Sequence, residues 1–154
     1  MPKRKLIAHV MNQSKLVCLA PQTSVSAASR KMFERKTGAV MVTSGNRLIG
    51  IVTERDVNFR VVALGRNPET TLLSDIMTRS PDVLPYDAPV SEALEMIQAY
   101  GYRHVPVEKN GAVVGMVSMR DLFMEVKQDL EDDIHEREEF MFGSGYSVPV
   151  AHAH

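Results

Sequence analysis

The sequence predicts an α/β (α+β) protein made of two βαββα repeats followed by a C-terminal helical extension. Three observations predict it. Gly50-Ile51-Val52-Thr53-Glu54-Arg55-Asp56 and Gly115-Met116-Val117-Ser118-Met119-Arg120-Asp121 lie 65 positions apart, and each runs from an apolar strand-like segment through Thr/Ser-x-Arg-Asp into a helix-like run. The same offset relates Val25-Ser26-x-Ala28 to Val90-Ser91-x-Ala93, Val40 to Val105 and Val42 to Val107, with no gap between them. Finally, Ser44-Gly45-Asn46 and Asn110-Gly111 each separate two β-branched runs at hairpin length. Self-similarity over this span defines the architecture before any local propensity is weighed.

In chain order, Leu16 to Leu19 predicts a short strand, Pro21 to Ser24 a turn, and Val25, Ala28 and Met32 the inner stripe of a helix. Ala39 to Thr43 and Leu48 to Val52 predict a hairpin, and a helix from Glu54 to Leu64 ends at Gly65. Arg66 to Thr70 is the connector, and Leu72 to Met77 a short helical turn. In the second repeat, Val83-Leu84 predicts a strand. Asp87 is expected to cap a helix with Pro89 in its first turn and Val90, Ala93, Leu94 and Ile97 inward. The second hairpin joins His104–Val107 to Val113–Val117, and Asp121 opens the last paired helix. Met11 matches Met77 at an offset of 66, which places one extra residue in a loop. Beyond Leu122, Val126, Leu130 and Ile134 continue at helical spacing beside an acidic face of Glu131-Asp132-Asp133 and, within Glu136 to Glu139, Glu136, Glu138 and Glu139. That amphipathic helix is expected to end near Gly143-Ser144-Gly145, with residues 146–154, His152 and His154 included, as a tail.

A chain of 154 residues with 44% hydrophobic content has enough apolar mass for two small halves sharing one core. A formal net charge of −1 provides no basic field for general nucleic-acid binding, and Lys3-Arg4-Lys5 reads as a solvated terminus. The lone Cys18, between Val17 and Leu19, excludes an internal disulfide and predicts a buried strand residue in a reducing compartment. No stretch has the roughly 20 apolar residues of a membrane helix, so the expectation is a soluble, cytoplasmic protein.

The paired motifs carry the chemistry. Thr53-x-x-Asp56 and Ser118-x-x-Asp121 satisfy the pattern of a capping box, in which hydroxyl and carboxylate occupy the first-turn donors. The same strand-to-helix turn aims free N–H groups and a positive dipole end at one spot, which suits an anion, while the aspartate suits ribose hydroxyls. Both readings fit these residues. No nucleophile with an adjacent base, no metal-ligand cluster and no P-loop pattern is present, so catalysis is not expected.

Two βαββα units that each close on Gly-apolar-Val-[Thr/Ser]-x-Arg-Asp resemble a tandem pair of cystathionine-beta-synthase (CBS) domains, a Bateman module. On that resemblance residues 8–65 form repeat one, 66–126 repeat two, and 127–154 the helical extension and tail. The resemblance implies small sheets related by a pseudo-twofold axis, with adenosine-containing ligands in two clefts between them. It implies a non-catalytic regulatory module for AMP, ADP or ATP, with NAD or S-adenosylmethionine as further candidates, a homodimer, and an effector protein that senses occupancy. The alternative is a ligand-free dimerisation module.

Carried over residue by residue, Asp56 and Asp121 resemble the ribose-binding aspartates. Thr53 and Ser118 then lie near the phosphates, with Arg55 and Arg120 as nearby cations. Arg103, in Tyr102-Arg103-His104-Val105-Pro106-Val107, is the expected phosphate ligand, since guanidinium binds phosphate bidentately. The resemblance sets Val17 and the backbone of Thr37, Gly38 and Ala39 against the adenine of the Asp121 cleft. Val83 and Tyr102 fall in the Asp56 cleft. His104 is expected at the cleft edge, as a contact or as packing. Met32, Phe33, Phe59, Met96, Tyr100 and Phe123 are candidates for the dimer surface.

Overall fold

The computed structural model describes residues 5–142. The expected end at Gly143-Ser144-Gly145, the tail with His152 and His154, and Lys3 and Arg4 lie outside the described residues. In chain order the elements are α1 (Ile7–Val10), β1 (Cys18–Leu19), α2 (Val25–Arg35), β2 (Ala39–Ser44), β3 (Arg47–Thr53), α3 (Glu54–Val57), α4 (Leu73–Ile76), β4 (Thr78–Arg79), β5 (Leu84–Pro85), α5 (Val90–Tyr100), β6 (His104–Lys109), β7 (Ala112–Ser118) and α6 (Met119–Phe142). One sheet has the order β1-β2-β3-β4 and the other β5-β6-β7. In each, the first strand pairs parallel with the next, and a hairpin completes the unit.

Local chemistry explains the turns. Asn110 and Gly111 both take positive φ, +53° and +79°, the conformation a two-residue type I′ hairpin requires. Gly101, at φ +72°, closes α5 by donating its N–H to the Ile97 carbonyl. After α3 the chain widens into a π-helical turn, Asn58–Val62, instead of continuing as an α-helix to Leu64. The start of α5 also differs from expectation. Pro89, whose side chain has no acceptor, is its N-cap, and the Val90 N–H that a cap at Asp87 would have used is taken by the Lys5 carbonyl at 3.0 Å. Leu94 faces outward from that helix, while Ala93 is fully buried.

The hydrophobic cores do not follow the sequence repeats. One contains Val25, Ala28, Met32, Val40, Val42 and Val52 together with Leu73 and Ile76 of α4; the other contains Leu84, Ala93, Val105, Val117 and Leu122 together with Ile7 of α1. Each half is thus sealed by the short helix that leads into the other half. Equivalent backbone bonds fasten the two helices. Leu73 N–H donates to Thr23 at 2.9 Å and Ile7 N–H to Ala88 at 2.8 Å; Val25 N–H donates to Thr71 at 2.8 Å. Instead of one shared core there are two, joined by a third cluster of Ala39, Met41, Ile51 and Met116 between the sheets.

The matched glycines and methionines have a packing cause. A Cβ on Gly50 would lie 2.4 Å from Met77 Sδ, and one on Gly115 2.8 Å from Met11 Sδ, so each thioether packs directly on a bare backbone. Leu19 and Leu84 occupy equivalent strand positions, so the extra residue falls in the loop between Met11 and β1. Cys18 lies in β1 as expected but is exposed, since the pleat turns Val17 and Leu19 toward the core and Cys18 away from it.

Candidate nucleotide-binding clefts

Each hydroxyl–aspartate pair sits where a long strand turns directly into a helix. Thr53 N–H and Oγ donate to Asp56 Oδ2 at 2.8 and 3.1 Å, and Asp56 N–H returns to Thr53 Oγ at 3.3 Å. Ser118 N–H donates to Asp121 Oδ2 at 2.9 Å, and Asp121 N–H to Ser118 Oγ at 3.1 Å. Both capping boxes therefore form, and each uses one carboxylate oxygen.

The second oxygen distinguishes them. Asp56 Oδ1 lies 3.7 Å from Arg60 Nε, and Arg60 is anchored through Nη1 to the Ile76 carbonyl at 2.8 Å. The equivalent position after Asp121 is Glu125, which pairs with Lys5. Among the described residues, Asp121 Oδ1 has neither an ion pair nor a hydrogen bond.

Asp121 faces a groove of about 1270 Å³. Ser118 and Arg120 line it from the α6 end, Arg103 and His104 from the start of β6, and Thr37 and Gly38 from the other half. The structure thus brings together seven of the nine residues assigned to this cleft. Val17 and Ala39 are not among its walls: their side chains are buried in the first core and in the intersheet cluster. A smaller cleft of about 200 Å³ holds Thr53, Arg55, Asp56 and Tyr102. Val83, half-buried just before β5, does not reach it. The Arg55 guanidinium lies over the Phe59 ring, 5.7 Å from its centroid.

Glu54, Arg103 and His104 line both clefts and form the wall between them. Gly38 permits this wall: a Cβ there would come within 3.2 Å of the His104 ring and 3.3 Å of the Glu54 carboxyl carbon. Burial lowers the His104 pKa below its usual value; the Glu54 and Asp121 carboxylates oppose that shift, and Arg103 adds to it. His104 is therefore a neutral wall residue near pH 7. The Tyr102 hydroxyl donates to Asp82, and that hydrogen bond is the chief reason its pKa is pushed up to about 12.

Sequence reasoning missed Glu54, Lys36 and Asp82. Glu54 occupies the variable position of Thr-x-Arg-Asp, where an acidic residue reads simply as a good first-turn residue. Lys36 reaches the large groove because the chain leaves α2 through a left-handed residue, Lys36 itself at φ +53°, which no lysine signals.

The family model for the CBS domain matches residues 7–62 and again 73–128. The chain belongs to the CBS domain family. This CBS pair is 34% identical over 148 residues to the CBS domain-containing protein CBSCBSPB3 of Arabidopsis thaliana, covering 90% of this chain and 27% of that protein. It thus spans about a quarter of that relative's length. A CBS-domain containing protein from Agrobacterium tumefaciens shares its structure with a TM-score of 0.71 at 26% identity, over 79% of this chain and 98% of that one. A CBS domain protein from Pyrobaculum aerophilum complexed with AMP has the same fold, with a TM-score of 0.71 at 24% identity over 80% of this CBS pair and 99% of that chain. Among the described residues no helix is long and apolar enough to cross a membrane.

Proposed function

We propose that this CBS pair is a non-catalytic regulatory module that binds an adenosine-containing ligand in the Asp121 cleft and passes its occupancy to a partner protein. The uncommitted Asp121 Oδ1 carries this reading. It stands at a helix start, in a groove that also holds Arg103, Arg120, Lys36 and Lys15. The carboxylate would accept the ribose hydroxyls, the cations would hold phosphate, and the bare Gly38 backbone would let a flat base approach. AMP, ADP and ATP suit this arrangement best. The breadth of the groove, beyond the usual range of roughly 300–1,000 Å³, leaves room for NAD or S-adenosylmethionine.

Signalling would follow linkage. A ligand touching both halves favours the relative arrangement it fits, and an effector that prefers the same arrangement gains affinity by the same factor. A homodimer is part of this reading, supported by the exposed Phe33, Phe59, Tyr100 and Phe123; Met32 and Met96 turn inward. The complete capping boxes support a second reading, a ligand-free dimerisation module. Thermal denaturation separates the two. A ligand at 100 times its dissociation constant adds about 2.7 kcal/mol to stability. Melting curves unmoved by AMP, ADP, ATP, NAD and S-adenosylmethionine would leave only the second reading.

A further inference from the structure

The last helix outruns the fold. From Lys127 to Met141 every residue of α6 is exposed, a length of about 22 Å at roughly 1.5 Å per residue. Lys5 reaches Asp129 at 3.0 Å; beyond that point every hydrogen bond and ion pair among the described residues stays inside the helix. Pairs four residues apart support it: Gln128 with Asp132, Asp133 with Arg137, and His135 with Glu139. An isolated helix of this length is marginal in water, and its usual support is a packed apolar face.

Such a face is present and bare. Leu130, Ile134 and Met141 recur at helical spacing, within about 40° of one line along the helix, and are 59, 56 and 61% exposed. Phe140, 90% exposed, borders the line. Acidic residues flank it, Asp129 and Asp133 on one side and Glu131 and Glu138 on the other. Residues 127–141 carry seven acidic and two basic side chains, net −5, and both cations are already paired within the helix, Lys127 with Glu131 and Arg137 with Asp133.

The charge selects what can cover this stripe. A second copy would set −5 against −5, and juxtaposed like charges are disfavoured. An anionic lipid surface and a nucleic acid are repelled for the same reason. A basic amphipathic helix matches both features, since its apolar side chains pack on the stripe while its cations meet the rim.

We propose that residues 127–141 dock a basic amphipathic helix of the partner protein, its apolar residues on Leu130, Ile134 and Met141 and its lysines or arginines against the flanking carboxylates. The inference rests on the partner in the proposed function and adds where it binds and what recognises it. Because α6 begins at the Asp121 cleft, docking site and ligand site share one helix.

The probe is a synthetic peptide of about 18 residues with leucine along one helical face and lysine on both flanks, followed by fluorescence anisotropy with the full chain in about 150 mM NaCl. It should bind about tenfold or more tighter than the same residues in scrambled order, and binding should vanish when glutamate replaces lysine. Leu130→Gln with Ile134→Gln, and Glu131→Lys with Glu138→Lys, should each weaken binding about tenfold or more. Both variants should melt like the parent, because these side chains touch nothing outside their own helix; circular dichroism checks helix content. Equal binding of ordered and scrambled peptides, or binding indifferent to Leu130→Gln with Ile134→Gln, overturns the docking site. A dimer that dissociates in that variant shows a second copy on the stripe, and sedimentation of the parent alone with phosphatidylserine–phosphatidylcholine vesicles shows a membrane; either overturns the partner helix. A bound peptide with no nucleotide-dependent shift in melting overturns only the ligand reading, and the reverse overturns only the docking site.

Discussion

In the proposed reading Asp121 performs two tasks with two oxygens, a cap and a ligand contact, and two substitutions separate them. Asp121→Ala removes the Oδ2 that accepts the Ser118 N–H at 2.9 Å, while Ser118 Oγ still accepts the Asp121 N–H. Losing half of a capping box costs about 1 kcal/mol, which for a chain of this size lowers the melting temperature by roughly 2–4 °C. Asp121→Asn keeps a cap oxygen and should cost a few tenths of that. Binding should respond differently. A carboxylate accepting a ribose hydroxyl contributes about 1.5–3 kcal/mol per bond, so losing two non-additive bonds should weaken AMP by roughly a hundredfold. Asp121→Asn should lose a large part of this affinity while melting almost normally. Asp56→Ala is the control: it loses the corresponding cap at Thr53 together with the Arg60 contact, and should have little effect on binding in the Asp121 cleft. Calorimetric titration with AMP and a melting curve for each variant suffice. If Asp121→Ala melts lower yet binds AMP as the parent does, Asp121 is only a cap and the ligand site is elsewhere.

Arg103→Ala should lower ATP affinity more than AMP affinity and leave adenosine nearly unchanged, because its guanidinium has no ion-pair partner among the described residues and lines both clefts; an unchanged ATP-to-AMP ratio by titration rules out the phosphate contact. Gly50→Ala and Gly115→Ala should each destabilise by about 1–3 kcal/mol through overpacking, Gly50→Ala more because Met77 lies closer; in denaturant melts, Met77→Ala should recover part of the Gly50→Ala loss but none of the Gly115→Ala loss. The lowered His104 pKa has a definite sign: the folded state resists protonation, so this contribution to stability is full above the unfolded value of about 6.5 and falls as pH drops toward the folded value. Melting temperatures of the parent should therefore fall more steeply below about pH 6.5 than those of His104→Asn; parallel profiles would count against a buried neutral imidazole.

Much of the fold is legible because the chain states it twice. Repeats at one offset, an Asn-Gly hairpin and helices at 3.6-residue spacing are local patterns, and each specifies its own element without reference to the rest. Ser118 and Asp121 are legible for the same reason, since their motif marks a strand-to-helix turn, whereas Thr37, Gly38 and Arg103 were expected beside them only through the family resemblance. Cys18 and Leu94 misled because a two-residue strand or a turn of helix shows alternation but not which face is inward, whereas Val17 was set in the cleft by the resemblance and packs into the first core instead. Asp87 misled because a backbone carbonyl from Lys5, more than 80 positions earlier, satisfies the donor that a cap would have taken.

Sequence alone was thus enough for the two βαββα units, their helical extension and the paired turns that present Asp56 and Asp121. Tertiary structure decided everything that depends on two distant segments meeting: that α1 and α4 exchange halves, that Arg60 occupies Asp56 while Asp121 keeps an oxygen free, and that Glu54, Arg103 and His104 wall two clefts at once. The physical reason is range. Hydrogen-bond periodicity and turn chemistry act over a few residues and are written in order along the chain, whereas the surroundings of a side chain are set by whatever the packed halves bring against it.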